Sequence, residues 1–254
     1  MNFLNKLYGE QKPDSNIDIH MLWIGTRLST LELLSLKSHL YYGHHVILYI
    51  YDDVENIPEG VDVREAQGVV DISNMDYYSK HGYTNEDGSF TRTAYVLYSD
   101  LFRYSVLHQM GGWWSDLDVV CLKPFDFDDP YVICQVEPGS FGTGVVKSVK
   151  DSLFFAKAVE LCRECMSDDE KIGCTGPNLF DVIVNMYSLK IFEVPSVTFY
   201  PFPWLHPGEI LKDITLTPET YAVHVSRSVF VKRYDKDKTY DENCLYERWK
   251  KKYL

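Results

Sequence analysis

The segment from residue 18 to residue 53 restricts the fold more than any other. It reads DIHMLWIGT, then STLELLSLKSHLYYG, then, after one His, HVILYIYDD. The first and third pieces are short runs of apolar, β-branched and aromatic residues, the pattern of strands buried on both faces. The piece between them is helical in character: Ser29 or Thr30 can cap it, Glu32 stands in its first turn and Gly43 stops it. Strands joined through a helix run parallel, because only a crossover returns the chain to the same edge. The expectation is an α/β fold with a central, mainly parallel sheet flanked by helices. Ligands of such sheets bind beyond the carboxyl ends of the strands.

The rest of the chain extends this plan. Residues 57–72 read as loop and edge material, and 79–90 as a polar, turn-rich connection. Residues 91–112 form a strong helical pattern with a Gly-Gly stop. Residues 113–125 read as one strand and 131–137 as another. The glycines of 138–146 suit either a plain turn or a close approach of backbone to a ligand. Residues 150–166 and 176–189 read as helices, the second with Pro177 fit for its first turn. Residues 191–196 and 197–202 are expected as short strands, and the chain closes with 217–228 and a basic terminal helix. No internal repeat or low-complexity linker divides the chain.

Charge and cysteine content exclude several classes. The formal net charge is −12, and only the final RWKKKYL is locally basic, so no nucleic-acid partner is expected. An anionic substrate stays compatible with that charge when a metal supplies the positive end. No apolar window reaches the length of a membrane span, the first twenty residues lack a signal-peptide core, and no Asn-x-Ser/Thr sequon occurs. These readings lead to a cytoplasmic protein, peripheral to a membrane at most through its basic tail. Its six cysteines are accordingly expected to be reduced. Cys162, Cys165 and Cys174 invite a zinc reading, but their segment is helical in pattern and no fourth ligand follows at finger spacing.

Two features point to chemistry. In MGGWWSDLDVV, Asp116 and Asp118 stand one residue apart where an apolar run begins. On an extended chain such residues face the same side, and a divalent cation relieves their repulsion. Upstream, Asp100 and Arg103 are three apart on a helix and share a face. That helix also presents Leu97, Leu101, Tyr104 and Leu107 to the sheet, so the pair borders a packed surface and suggests a polar cluster held in a cleft.

The stretch SDLFRYSVLHQMGGWWSDLDV resembles the signature of GT-A glycosyltransferases of the Asp-x-Asp, sugar-binding type. These include glycosyltransferase family 32 and the glucosylating domains of large clostridial toxins. IHMLWIG resembles the first strand of that family and CTGPNLF the Thr-Gly-Pro that opens a later helix. The resemblance implies one Rossmann-like GT-A domain over 1–254, with a small antiparallel element near the C-terminus. Its nucleotide-binding half would span about 15–125 and its acceptor and sugar half about 126–254. Trp23, Ile24 and Gly25 would meet the nucleotide, Trp23 lying against the uracil. Asp100 and Arg103 would contact the ribose, the sugar or its phosphate. Asp116 and Asp118 would bind Mn²⁺ or Mg²⁺, completed by His224, although the aromatic that follows the His in relatives is missing here. Ser226 and Arg227 are candidates for the diphosphate.

The implied reaction moves a hexose from a UDP-sugar to a hydroxyl of a glycan or protein-linked acceptor, with retention of anomeric configuration. Asp100, Arg103, Asp116 and Asp118 would form the catalytic group. A nucleotidyltransferase also pairs aspartates after a Gly-rich turn, but there the turn lies about ten residues ahead, whereas Gly112 is four before Asp116. A catalytically dead nucleotide-sugar-binding module is the other alternative, against which all the motif acids are intact.

Overall fold

The computed structural model describes residues 18–75, 92–167 and 175–254. The connection 79–90 and Cys174 therefore lie outside the described residues. Among the described residues the first elements follow the sequence closely: β1 (Asp18–Trp23), α1 (Thr30–Tyr41), β2 (His45–Ile50) and an edge strand β3 (Asp62–Glu65). The helix α2 (Arg92–Met110) leads into β4 (Gly112–Ser115), and β5 (Val119–Cys121) follows at once. Then come β6 (Val132–Glu137), β7 (Ser140–Ser148), α3 (Leu153–Ser167), α4 (Pro177–Met186) and the short β8 (Glu193–Val194). The chain ends with β9 (Ala222–His224), α5 (Arg227–Phe230) and α6 (Leu245–Tyr253).

Seven strands form the main sheet in the order β3-β2-β1-β4-β7-β6-β8, and β5 pairs with β9 in a separate antiparallel ribbon. Strands β1 to β4 run parallel; β7 alone opposes its neighbours, pairing antiparallel with β4 and β6. This is the mixed α/β sheet flanked by helices that the alternation demands, with the small antiparallel element near the C-terminus that the resemblance implied. Trp113 and Trp114 stand on opposite faces of β4, as neighbours on a strand do. Trp114 joins Phe102, Tyr98 and Leu101 of α2 in one core layer. Trp113 packs with Phe125, Phe199 and Leu36 in the other. The helix α1 is buried between that second layer and a third cluster built with Trp249 and Tyr253 of α6. Two buried surfaces explain its lack of a strong polar face.

The Gly-Gly stop after α2 has a steric origin. Gly111 lies at φ +70°, and a Cβ there would stand 2.4 Å from the backbone nitrogen of Lys150. No side chain fits between the end of α2 and the loop leading to α3.

Four expectations need correction. Residues 113–125 are two strands in two sheets, parted by a turn at Asp116–Asp118 in which the Val119 N–H donates to the Asp116 carbonyl at 3.1 Å. The apolar character of the run is the same whichever sheet buries it, so composition hid the break. In the glycine-rich segment only Pro138 and Gly139 form a turn; Ser140 to Val146 are strand, most of the nine-residue β7. Residues 197–202 hold no strand; Ser196–Thr198 is a 3₁₀ turn instead. Finally, Cys165 is disulfide-bonded, its partner lying outside the described residues, while Cys121, Cys134, Cys162 and Cys244 are free and buried. Among the described residues no helix is long and apolar enough to cross a membrane. The basic tail folds back on the chain: Lys250 pairs with Glu247 at 2.5 Å, and Lys252 donates to the Tyr42 hydroxyl at 2.8 Å.

Candidate active site

The cleft opens where β1 and β4, parallel neighbours, reach their carboxyl ends. Its volume is about 980 Å³, and Trp23, Ile24, Asp100, Arg103, Asp116, Asp118, His224, Ser226 and Arg227 all line it. Gly25 alone among the expected residues does not. It lies beneath Trp23, where a Cβ would meet the indole nitrogen at 3.3 Å.

Arg103 holds the floor together. Its Nη1 donates to Asp100 Oδ1 at 2.6 Å and its Nη2 to Asp116 Oδ1 at 2.9 Å, and all of this lies buried or nearly so. The helix α2 therefore delivers more than a surface ion pair: one guanidinium fork ties its own carboxylate to the Asp-x-Asp turn. Trp114 adds an Nε1–H donor to Asp116 Oδ1 at 2.7 Å, and its ring lies 5.2 Å from the Arg103 guanidinium. The other Asp100 oxygen accepts from Thr175 at 3.1 Å, and the Tyr104 hydroxyl donates to the Thr175 carbonyl. The Thr-Gly-Pro start of α4 is thus docked on α2.

Asp118 is held from the C-terminal side. The Arg227 N–H donates to its Oδ2 at 2.6 Å, and the Asp118 carbonyl accepts from Val225 N–H at 2.9 Å. Ser226 takes a left-handed conformation, φ +58°, to aim that N–H. The remaining oxygen, Oδ1, faces His224 Nε2 at 3.2 Å, and Asp116 Oδ2 stands 3.7 Å from the same nitrogen. Each carboxylate has one oxygen committed to protein donors and one turned toward His224. Ligand atoms of Asp116, Asp118 and His224 all fall within 4.8 Å of one another. The space before them is kept clear by Gly144, where a Cβ would stand 3.1 Å from Asp116 Oδ2 and 3.2 Å from His224 Nε2. Two carboxylates and one imidazole, with room in front, suit a small divalent cation such as Mn²⁺ or Mg²⁺.

Residues 27–134 match the family described as "Glycosyltransferase sugar-binding region containing DXD motif". The match covers less than half of the chain and is a likeness to glycosyltransferases over that region. Asp116-Leu117-Asp118 is the DXD motif of that region, and Asp100 and Arg103 also fall inside it, whereas Trp23, His224 and Arg227 lie outside. Among solved structures, the PaToxG glycosyltransferase shares the fold, with TM-score 0.53 and 17% identity over 74% of each chain. The apo-form glycosyltransferase GlyE of Streptococcus pneumoniae TIGR4 aligns over 92% of this chain and 60% of its own, at 13% identity and TM-score 0.45. No curated protein matches the chain in sequence.

The charges of this site act on one another. Burial alone would raise the Asp118 carboxyl, but His224 and the Arg227 N–H hold it at about 2. Burial alone would lower the His224 imidazole, but Asp118 outweighs it, and the net shift is upward from 6.5. The protonated imidazole and the Asp118 carboxylate thus stabilise each other.

Sequence reasoning passed over Tyr200, Trp204 and Thr143, which also line the cleft. The Tyr200 hydroxyl accepts the N–H groups of Gly144 and Val145 at 3.0 and 3.1 Å, and its ring stands edge-on to His224. A Cβ at Gly142 would collide with that ring at 2.3 Å. Glycine at 142 therefore admits Tyr200, and glycine at 144 opens the metal side. The legible signal was a Gly-x-Gly within an otherwise β-branched run, which marks a close approach.

Proposed function

We propose that this chain is a glycosyltransferase that moves a hexose from a UDP-sugar to a hydroxyl of a glycan or protein-linked acceptor, with Mn²⁺ or Mg²⁺ and with retention of configuration. The observation that supports it best is the convergence of Asp116, Asp118 and His224 on one point of a cleft at the carboxyl ends of the sheet strands. Asp116, Asp118 and His224 would hold the cation. When bound, it neutralises charge growing on the nucleotide leaving group. The donor half is 15–125 with the C-terminal arm that includes Ser226 and Arg227, and the acceptor half follows within the same domain.

The protein's own groups divide the remaining work. Arg103, locked between Asp100 and Asp116, fixes the carboxylates that would meet the ribose and the donor sugar. Trp23 offers an apolar ring to the uracil, and Ser226 and Arg227 offer donors to the diphosphate. Retention by attack on the face the leaving group departs from fits the acids present. Both Asp100 oxygens are bonded, and the Asp116 and Asp118 oxygens not bonded to protein donors face His224. The remaining cleft acid, Glu137, is exposed on the hairpin between β6 and β7. Trp204 is 54% exposed while lining the cleft, a flat surface suited to the face of an acceptor ring.

The test is a panel of UDP-, GDP- and CMP-sugars with Mn²⁺, read as nucleotide release. Release from one UDP-sugar, lost on adding EDTA, is the expected result. Silence with every donor together with no metal-dependent UDP binding, or pyrophosphate release from a nucleoside triphosphate, would overturn the reading.

The coupling of His224 to Asp118 gives this proposal a pH signature. The imidazole must lose its proton before Nε2 can bind a cation. Its raised pKa means that Mn²⁺ affinity climbs as pH rises through a point above 6.5 and then levels. Below that point affinity falls about tenfold per pH unit. Calorimetric titration at pH 6, 7 and 8 checks this, and His224→Gln should flatten the dependence.

A further inference from the structure

Glu32 has more partners than a helix cap needs. It is the third residue of α1 and accepts the Ser29 N–H at 2.9 Å, which completes an ordinary capping box. Capping boxes sit comfortably at a surface, yet Glu32 is 0% exposed. Its other contacts come from the far end of the chain. Lys236 Nζ donates to Oε1 at 2.7 Å and to Oε2 at 2.9 Å, and Arg227 Nε stands 2.9 Å from Oε1. A second tether lies beside it, where Asp237 accepts the Thr30 N–H at 2.8 Å.

Arg227 lines the cleft, and Lys236 stands near the same Trp23 ring. The Arg227 guanidinium lies 5.6 Å from the Trp23 ring centre and Lys236 Nζ 6.0 Å from it. The backbone N–H of the same Arg227 fixes Asp118 Oδ2. Glu32 meets both cations, and the Asp237 carboxylate also acts on Lys236. Burying a carboxylate is costly unless its partners are well placed, and here they are placed so as to pin the arm 226–237 against the start of α1.

We propose that Glu32 is a positioning residue for the donor diphosphate: it holds Arg227 and Lys236 at Trp23, and through Arg227 it sets the orientation of Asp118. This rests on the UDP-sugar reading above. The residue touches no substrate itself, and it lies in the part of the chain where the Asp-x-Asp turn gives no hint of it.

Two contrary signs separate positioning from mere charge balance. If Glu32 only neutralised the two cations, Glu32→Gln would free positive charge and tighten UDP binding. If Glu32 positions them, Glu32→Gln lets the arm drift, and both the donor KM and the Mn²⁺ concentration for half activation rise about tenfold or more, the scale of one lost charge-assisted hydrogen bond. Ser29→Ala is the control: it removes a cap contact but leaves both cations on Glu32, so it should lower the melting temperature while donor KM stays within about twofold of wild type. Should Glu32→Gln fail to fold, Lys236→Met carries the test, since it removes one cation at the partly exposed end of the same cluster and should raise donor KM several-fold at nearly unchanged kcat. Unchanged or tighter UDP–Mn²⁺ binding in the folded variant overturns the proposal. Wild-type protein that binds no UDP with Mn²⁺ at all would instead sink the UDP-sugar reading, so the two failures are distinct.

Discussion

Asp118→Ala is expected to lower nucleotide release by about 10³-fold and to leave the residue insensitive to EDTA. The magnitude follows from the several kcal/mol of charge stabilisation that a bound cation supplies, at tenfold per 1.36 kcal/mol. Both oxygens of Asp118 have assigned neighbours: Oδ2 the Arg227 N–H and Oδ1 His224 Nε2. Truncation would remove the ligand and would also strand a buried N–H and an imidazole, so part of the loss in the alanine variant would be structural. Asp118→Asn separates the two effects. The amide carbonyl can still accept from Arg227, while the charge that draws the cation is gone. The asparagine variant should therefore melt near wild type and still lose metal-dependent release. Release within about tenfold of wild type, with EDTA sensitivity intact, would show that Asp118 is not a ligand.

The parts of this site differ in how openly the sequence displays them. The strand–helix–strand start and α2 are written in local patterns: apolar runs, a capping box, a Gly-Gly stop. Asp100 and Arg103 share a helical face because three residues turn a helix most of the way round, and the structure turns that face into the floor of the cleft. Asp116 and Asp118 meet as expected but for a different reason, since a turn and not an extended strand brings their oxygens together. A carboxylate pair one residue apart is legible; the backbone that converges it is not, because Val119, Val120 and Cys121 are equally apolar in either sheet. Tyr200 and Glu32 were invisible for a more general reason. Tyr200 acts through the N–H groups of β7, and Glu32, beyond its local cap, through Lys236 and Arg227, partners dozens to hundreds of positions away. No periodicity or capping rule records a tertiary contact of that range. The glycines at 142 and 144 were seen, but their purpose is the bulk of Tyr200 and the approach of His224, and neither is encoded near them.

Replacing Arg103 should have the largest effect on stability. Arg103 is 4% exposed and bridges two carboxylates, so Arg103→Met would leave the buried Asp100 and the half-buried Asp116 adjacent and without their shared cation. Breaking a buried pair from one side costs about 3–5 kcal/mol, and a chain of this size loses about 2–4 °C per kcal/mol, so a fall in melting temperature of about 10 °C is expected. Arg103→Lys is the more informative change because it keeps the charge. A single ammonium cannot reproduce the fork that reaches Asp100 Oδ1 and Asp116 Oδ1 at once. It would retain the contact within α2 and release the Asp-x-Asp turn, or the reverse. The lysine variant should thus recover most of the stability yet turn over donor about 10²-fold more slowly, the scale of a misplacement near 1 Å at a reacting centre. Denaturant titration gives the first quantity and nucleotide release the second. A lysine variant with wild-type turnover would mean that net charge on the floor is enough; a lysine variant as unstable as the methionine one would mean that the fork serves the fold alone. The separation of the two, with stability restored and turnover not, is what a guanidinium that both bears load in the core and aligns the motif acids must give.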